Sequence, residues 1–222
     1  MASSRTSSSA GAHEPGDDHD LSGHDGAELG HVVVAGGTPH EWLAFSDAQW
    51  RDRIDVLTAG VARAGTRWLS LYPFNGASLT AGEIGRLGES IVSLGKVENI
   101  GDESAPRWVI GSDDGLSVCI EPEPDGRRRF ARVVSSLKRV DKHDHIVESR
   151  IAQGVLAPSP REPDLVVLLG PPTRLPTSLV WELAYSELVF LDLGWTKLSA
   201  ADLELAVDDF TRRNRRFGGL DS

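Results

Sequence analysis

The amino-acid sequence predicts an α/β domain built on a largely parallel β-sheet. Short apolar runs of strand character alternate with segments whose apolar residues recur at helical spacing, which is the pattern of repeated β-α units. One run, DLVVLL at residues 164–169, is almost continuously apolar, as expected of a central parallel strand covered on both faces. With 222 residues, 40% of them hydrophobic, the chain can form one sizeable core.

The N-terminal segment has a composition that does not favour folding. Residues 1–30 are rich in Ser, Gly, Asp and His and contain almost no large apolar side chains. Such a segment cannot bury enough apolar surface to offset the entropy lost on ordering. We therefore expect residues 1–30 to be a disordered tail and residues 31–222 to form a single domain.

The first half of this domain shows clear strand and helix signals. HVVV at residues 31–34 predicts a buried strand. Ser46 and Gln49 predict the capping box of a helix that ends at Gly65, and WLSLY at residues 68–72 predicts the next strand.

The central part of the chain predicts two helices around two strands. Apolar spacing indicates helices at residues 81–94 and 127–139, and strands at residues 107–110 and 116–121. These strands could form a hairpin or occupy separate positions in the sheet. We expect the basic residues of the second helix to form a solvated face: Arg127, Arg128, Arg129 and Arg132.

The C-terminal stretch, residues 177–222, holds the most ordered pattern in the chain. It combines a predicted helix carrying Glu187 as a buried acid, an apolar run of strand character, a capped helix and a tail rich in Arg and Gly. We expect ligands to bind beyond the carboxyl ends of the parallel strands, in the loops that follow Val34, Tyr72, Ile120 and Leu169.

Composition excludes several classes of function. The net charge of −10 argues against general nucleic-acid binding but permits a local phosphate site. Cys119 is the only cysteine, so the chain has no internal disulfide and no cysteine pair for zinc. No apolar run is long enough to span a bilayer and no apolar leader is visible, so we expect a cytoplasmic protein, at the membrane surface if its ligand is a lipid. Nucleophile-elbow, P-loop and dinucleotide motifs are also missing from the sequence.

From Asp164 onward the chain carries a series of motifs in a fixed order: Asp164-Leu165-Val166-Val167, Arg174, Val180-Trp181-Glu182, Ala184-Tyr185-Ser186-Glu187-Leu188, Trp195 and Arg215-Arg216-Phe217-Gly218-Gly219. In this order and spacing they resemble the cis-prenyltransferases, the undecaprenyl diphosphate synthase family. In the first half, His31 to Val34 followed by Trp42 resembles the family's first strand and catalytic loop more loosely. The resemblance implies a six-stranded parallel sheet flanked by helices, a dimer, and transfer of isopentenyl diphosphate units to an allylic diphosphate.

The catalytic loop departs from the family pattern. In the family, an Asp in this loop handles Mg²⁺ and the allylic diphosphate, and an Asn and an Arg contact phosphate. Aligned on His31 and Trp42, the Asp position is Gly37, the Asn position is Pro39 and the Arg position is Glu41. The loop therefore loses a carboxylate, a backbone donor and a cation, so we expect it not to bind the allylic primer.

The loop after residue 169 is also altered. The family's Arg and Thr are Leu168 and Leu169 here, its Gly-Glu pair is Pro171-Pro172, and its Ser is Pro176. The resemblance leaves Arg174, Arg216, Phe217 and Gly218 as isopentenyl diphosphate contacts, in part offered across a dimer to the partner chain. It leaves Glu187 as a candidate metal ligand, although a structural acid fits this position equally well, and the terminal arginines could simply favour the helix dipole.

Three functions are consistent with the sequence. The first is a non-catalytic accessory subunit, resembling the Nogo-B receptor-type subunits of heteromeric cis-prenyltransferases, which pairs with a catalytic subunit or with itself. Its Mg²⁺ would then act through the partner's active site. The second is an active enzyme with a rebuilt metal site using Glu41, Asp47 or Glu187. The third is a module that binds prenyl lipids or proteins, and none of the three involves nucleic acid.

Overall fold

The computed structural model describes residues 29–111, 115–140, 147–184 and 186–217, with only the backbone for Val140 and residues 214–217. The strands are β1 (His31–Ala35), β2 (Trp68–Tyr72), β3 (Val97–Asn99), β4 (Trp108–Gly111), β5 (Ser117–Ile120), β6 (Leu165–Leu169) and β7 (Glu187–Leu191). The helices are α1 (Pro39–Leu43), α2 (Asp47–Val61), α3 (Ala81–Val92), α4 (Gly126–Val140), α5 (Glu148–Leu156) and α6 (Ala200–Phe217).

The strands form one mostly parallel sheet in the order β3-β4-β5-β2-β1-β6-β7. Strands β5, β2, β1, β6 and β7 run parallel, which confirms the predicted fold class. The described sheet has seven strands, whereas the resemblance implied six. The hairpin that the sequence left open is present, because β4 pairs antiparallel with β5. A further strand, β3, pairs antiparallel with β4 although its three residues carry no strand pattern.

The central strands are buried on both faces, as the continuous apolar run of β6 predicted. Val32 and Val34 point to the larger core, which α2, α3 and α6 cover, and Val33 points to the smaller core on the other face. The alternation follows from the two-residue period of a strand. Leu29 also lies in the larger core, so the folded domain includes the last two residues, Leu29 and Gly30, of the segment predicted to be disordered; residues 1–28 lie outside the described structure.

Most predicted helices have the expected boundaries. Ser46 and Gln49 form the predicted capping box, with the Gln49 amide donating to Ser46 Oγ at 3.3 Å and the Ser46 amide donating to Gln49 Oε1 at 2.9 Å. Gly65 ends the following 3-10 turn with a φ of 70°, a conformation that costs glycine little.

The segment before β7 corrects a prediction. Residues 177–184 form turns rather than a helix, and Glu187 is the first residue of β7. Contacts with distant parts of the chain hold this segment: Thr177 Oγ1 donates to the carbonyl of Pro124, and Trp181 Nε1 donates to Glu162, both at 2.8 Å. Tertiary hydrogen bonds therefore override the local helical pattern.

A buried ion-pair network corrects a second prediction, because Arg129 does not belong to a solvated face. Its side chain is 3% exposed and forms ion pairs with Glu182 and Glu121, while its guanidinium lies 4.2 Å from the ring centroid of Tyr72. Burial opposes the charge, but the two carboxylates outweigh burial and raise the pKa of Arg129 above its usual value. Arg107 lies beside this network and pairs with Glu121 at 2.9 Å.

Replacing Arg129 by Ala should lower the free energy of unfolding by about 3–5 kcal/mol, because it leaves Glu182 buried without its cation. Urea denaturation monitored by tryptophan fluorescence measures this loss. The control is Arg127→Ala on the same helix, where the side chain is 87% exposed, and we expect a change within about 0.5 kcal/mol. Equal losses in both variants would contradict the role of the network.

His31 should make stability depend on pH. Burial lowers its pKa from 6.5 to about 4, and its neutral ring lies 3.0 Å from Ser70 Oγ and 3.1 Å from the carbonyl oxygen of Arg161. The unfolded chain therefore binds a proton at higher pH than the folded chain does. Stability should be constant above about pH 7 and fall by about 3 kcal/mol as pH drops from 6.5 to 4. A His31→Gln variant should lack this part of the decline in urea unfolding measured across the same pH range.

Candidate functional site

A cleft of about 420 Å³ opens at the carboxyl end of the parallel strands. The loops after β1, β2, β6 and β7 line it, so three of the four predicted loops meet there. The loop after β5 borders a different cavity. The lining residues are Gly37, Thr38, Glu41, Phe74, Asn75, Leu169, Gly170, Pro171, Arg174, Asp192, Leu193, Gly194 and Trp195.

The loop after β1 is held in a compact turn that leads directly into α1. Thr38 caps this short helix by accepting a hydrogen bond from the Glu41 amide at 3.1 Å, and Pro39 occupies its first turn. Trp42, which is fully buried, donates from Nε1 to the carbonyl of Gly36 at 3.0 Å. Consequently Glu41 remains at the rim of the cleft as an exposed carboxylate.

Trp195 forms part of the cleft wall and belongs to a buried aromatic cluster. Its ring centroid lies 5.6 Å from that of Trp42, 6.4 Å from that of Trp50 and 6.3 Å from that of Phe45. The guanidinium of Arg53 lies 5.1 Å from the Trp195 ring. Aromatic rings in these arrangements bury large areas and attract each other beyond that burial, so this wall is rigid.

Gly37 lies directly against this cluster. A Cβ atom added at Gly37 would be 3.0 Å from both Cβ and Cγ of Trp195, and the backbone φ is 68°. Residues other than glycine adopt this left-handed backbone conformation at a cost of roughly 1–2 kcal/mol. In this chain, glycine is therefore the favoured residue at the position that carries the catalytic Asp in the family.

The described residues of the cleft include more exposed carboxylates than exposed cations. Two exposed carboxylates, Glu41 and Asp192, face one exposed guanidinium, that of Arg174. Within the described residues, no group of three His, Cys, Asp or Glu side chains could hold a metal ion. The described residues of this cleft therefore form no all-protein metal cage, and Mg²⁺ could bind only through one or both of these carboxylates together with water and substrate phosphate oxygens.

The structure brings Gly37 and Arg174 together but places Glu187 elsewhere. Glu187 begins β7 and is in register with Leu165 at the start of β6, so it lies at the amino end of the sheet, opposite the cleft. Its carboxylate pairs with Arg213 of α6 at 3.0 Å. Within one chain Glu187 thus acts as a paired acid, and a metal role for it in a complex stays a prediction.

The C-terminal candidates are only partly within the described structure. Helix α6 begins with a capping box in which the Ser199 amide donates to Asp202 at 3.0 Å and the Asp202 amide donates to Ser199 Oγ at 3.3 Å. The side chains of Arg216 and Phe217, and all of Gly218, lie outside the described residues. Their contact with isopentenyl diphosphate stays a prediction.

Sequence reasoning missed two features of the cleft. Asp192, which directly follows β7, contributes the second carboxylate, and the strand end was a signal that could have located it. Trp195 was recognised only as a motif residue. Its packing against Gly37 could not be read from the sequence, because the two residues are 158 positions apart.

A model of the family described as "Putative undecaprenyl diphosphate synthase" matches residues 113–218. Over these residues, just under half of the chain, the sequence is similar to the cis-prenyltransferase family. An isoprenyl transferase of Neisseria gonorrhoeae is 32% identical over 107 residues, which are 48% of this chain and 43% of that protein. A ditrans,polycis-undecaprenyl-diphosphate synthase of Lactiplantibacillus plantarum is 40% identical over 80 residues, 36% of this chain and 30% of that protein. The chain thus spans less than half the length of these curated relatives.

Two solved structures share the fold of this chain over most of its length. A probable undecaprenyl diphosphate synthase of Campylobacter jejuni superposes with a TM-score of 0.57 at 19% identity, covering 86% of this chain and 99% of that one. Lavandulyl diphosphate synthase of Lavandula x intermedia, solved with dimethylallyl diphosphate, gives a TM-score of 0.56 at 14% identity, covering 83% and 95%. The fold is therefore shared beyond residues 113–218, where the family model stops matching.

Restoring the family's carboxylate should not restore a working site. Gly37→Asp should lower the free energy of unfolding by about 1–2 kcal/mol, because of the left-handed backbone and the contact with Trp195. Urea denaturation checks this value, and an incorporation assay with isopentenyl diphosphate should show no activity. The control is Gly82→Asp, in the first turn of α3, where an added Cβ meets nothing within 4 Å among the described residues. A Gly37→Asp variant that loses no free energy of unfolding and gains activity would overturn this interpretation.

Proposed function

We propose that this chain is a non-catalytic accessory subunit of a cis-prenyltransferase that makes long-chain polyprenyl diphosphate from isopentenyl diphosphate. The carrying observation is the packing of Gly37 against Trp195. A family member needs a carboxylate at this position, by resemblance, and here the backbone conformation and the indole ring together oppose one. This proposal narrows the family membership of the chain to the Nogo-B receptor type of subunit.

The electrostatics of the cleft support the same conclusion. Departure of a diphosphate leaves negative charge that an enzyme stabilises with metal ions or cationic donors. Glu41 and Asp192 would instead repel that charge, and Arg174 alone would have to offset both carboxylates and the diphosphate. An isolated chain should consequently bind an allylic diphosphate poorly.

The role that we propose for the chain depends on its C-terminal motif. The family resemblance assigns Arg216, Phe217 and Gly218 to a clamp that reaches a partner's isopentenyl diphosphate. A guanidinium can hold phosphate oxygens through two parallel hydrogen bonds, and glycine allows close approach of the backbone. The partner would be a catalytic cis-prenyltransferase subunit, and its active site would hold the Mg²⁺.

One observation favours a second candidate, an active enzyme with a rebuilt site. Glu41 and Asp192 both line the cleft, so two carboxylates are available to it. Asp47, which the sequence also suggested, instead lies exposed in the first turn of α2 and does not line the cleft. Within the described residues no third metal-binding side chain joins them, so a metal ion would depend on these two carboxylates, water and the substrate's phosphates.

The test is reconstitution with a catalytic cis-prenyltransferase, measured by incorporation of labelled isopentenyl diphosphate. We expect no incorporation by this chain alone, a stable complex on co-purification, and turnover in the complex that falls at least tenfold in the Arg216→Ala variant. The control is Arg212→Ala, because Arg212 is exposed on the same helix and lies 3.7 Å from Asp209, a pair within that helix. This variant should keep full turnover.

Two results decide against the proposal. A partner that is equally active without this chain and indifferent to Arg216→Ala would exclude an accessory role. Incorporation by this chain alone, lost in Glu41→Gln, would establish the second candidate instead.

A further inference from the structure

Helix α4 carries more basic residues than any other helix or strand of the described structure. Its basic residues are Arg127, Arg128, Arg129, Arg132, Lys138 and Arg139, and it contains no Asp or Glu. The chain as a whole has a net charge of −10, so the sign of this helix is opposite to that of the rest of the molecule. A local concentration of positive charge attracts an anionic partner.

A groove of about 760 Å³ lies beside α4. Its other walls come from the segment between β3 and β4 and from Gly154 near the end of α5. Asp102 and Glu121 are the only carboxylates among the described residues that line it. Five arginines line the same groove: Arg107, Arg128, Arg129, Arg132 and Arg139. The lining of the groove is therefore predominantly basic.

The ion pairs of these arginines are incomplete on α4. Arg128 Nη1 and Arg132 Nη2 lie 3.8 and 2.7 Å from the same carboxylate oxygen of Glu123, so two guanidinium groups share one carboxylate. Arg139 has no ion pair among the described residues. Arg132 Nη1 is shielded from solvent and has no hydrogen-bond partner in the described part of the chain. Buried donors normally have an acceptor, so the groove can accommodate further carboxylate oxygens.

The N-terminal part of the sequence contains an anionic segment that matches this groove. Residues 13–28, HEPGDDHDLSGHDGAE, contain no Lys or Arg and carry a charge of −6 with neutral His. Segments with many like charges and few apolar residues form no core of their own and commonly act as interaction segments. Leu21 is the only large apolar residue of the segment, and Ile100, which is 40% exposed, lines the groove. The six carboxylates are those of Glu14, Asp17, Asp18, Asp20, Asp25 and Glu28.

The described chain begins close enough to the groove for this segment to reach it. Gly30 lies against Arg161, because a Cβ atom added at Gly30 would be 2.4 Å from Arg161 Nη1. Arg161 follows Ala157 by four residues, a distance of at most about 14 Å along the chain. The carbonyl of Ala157 accepts a hydrogen bond at 2.7 Å from Arg107, which lines the groove. Residues 13–28 can extend over about 55 Å, more than the length of α4, which is about 22 Å.

We infer that residues 13–28 dock onto the groove beside α4 of the same chain, with their carboxylates pairing with Arg128, Arg132 and Arg139. Carboxylates and guanidinium groups form strong hydrogen bonds that are often bidentate. Because one chain carries both partners, their effective concentration is about millimolar, which favours even a weak contact. Another anionic partner would then reach α4 only by displacing this segment. The inference is independent of the proposed accessory role, since none of these residues lines the Gly37 cleft or belongs to the C-terminal motif.

Paramagnetic relaxation enhancement in the full chain tests this contact. A spin label is attached at Ser22→Cys, in the middle of the segment. The natural Cys119 is 3% exposed, and burial raises the pKa of its thiol to about 12, so it should not take up the label. In amide NMR spectra, we expect the label to reduce the peak intensities of α4 at least twofold. The amides of α2, which covers the other face of the sheet, should lose less intensity.

Charge variants locate the contact. Replacing the six carboxylates of residues 13–28 by amides should abolish the intensity loss at α4. The double variant Arg128→Gln/Arg139→Gln should reduce the loss at least twofold, and both side chains are exposed, so the fold should be kept. The matched control is Arg127→Gln/Lys138→Gln, which removes two exposed cations of the same helix that do not line the groove. This control should keep most of the intensity loss.

Three results would overturn the inference. The first is the absence of any intensity loss at α4 in the spin-labelled chain. The second is an equal effect of the two double variants, which would indicate a general attraction to α4 without a contact in the groove. The third is the full intensity loss in an equal mixture of an isotope-labelled chain that lacks the spin label with a spin-labelled chain that lacks the isotope, because the segment would then dock onto a second copy.

Discussion

The packing of Trp195 under the first loop is the contact on which this end of the molecule depends. Its indole joins Trp42, Trp50 and Phe45 in one buried cluster and lies against the backbone of Gly36 and Gly37. A Cβ added at Gly36 would come within 2.9 Å of the Trp195 ring and 2.6 Å of Leu169, so the loop, the end of β6 and the segment after β7 form one closely packed unit. In an interior packed this closely, an added side chain displaces all of the side chains around it. The same contact that stabilises the loop therefore disfavours a side chain at the position where the family carries its Asp.

Buried ion pairs stabilise the other face of the sheet. Arg129 links α4 to Glu121 beyond β5 and to Glu182 in the turns before β7, and it lies over the ring of Tyr72. An isolated buried charge costs several kcal/mol, and here two carboxylates and a carbonyl, that of Ser178, offset the cost. This network explains why residues 177–184 adopt turns despite their helical pattern. On the same helix, Arg128 and Arg132 lie 3.8 and 2.7 Å from a carboxylate oxygen of Glu123.

The molecule combines the fold shared with these relatives with an altered first loop. Residues 113–218 match the undecaprenyl diphosphate synthase model, and the fold extends over most of the chain, yet the cleft beyond the parallel strands has more carboxylates than cations. None of the described helices is long and apolar enough to cross a membrane.

The sequence by itself determined the fold class, the caps of α2 and the strands β1, β2, β4, β5 and β6, because these depend on local periodicity and short-range hydrogen bonds. Its motifs also indicated the resemblance to the cis-prenyltransferases, and aligning Gly37 with the Asp of that family located the altered loop. Tertiary structure alone decided three further points. Glu187 begins a strand at the far end of the sheet, Arg129 is buried rather than solvated, and Trp195 closes the space beside Gly37. Each of these depends on residues far apart in the chain, and the pattern around any one residue does not show which distant side chain will pack against it.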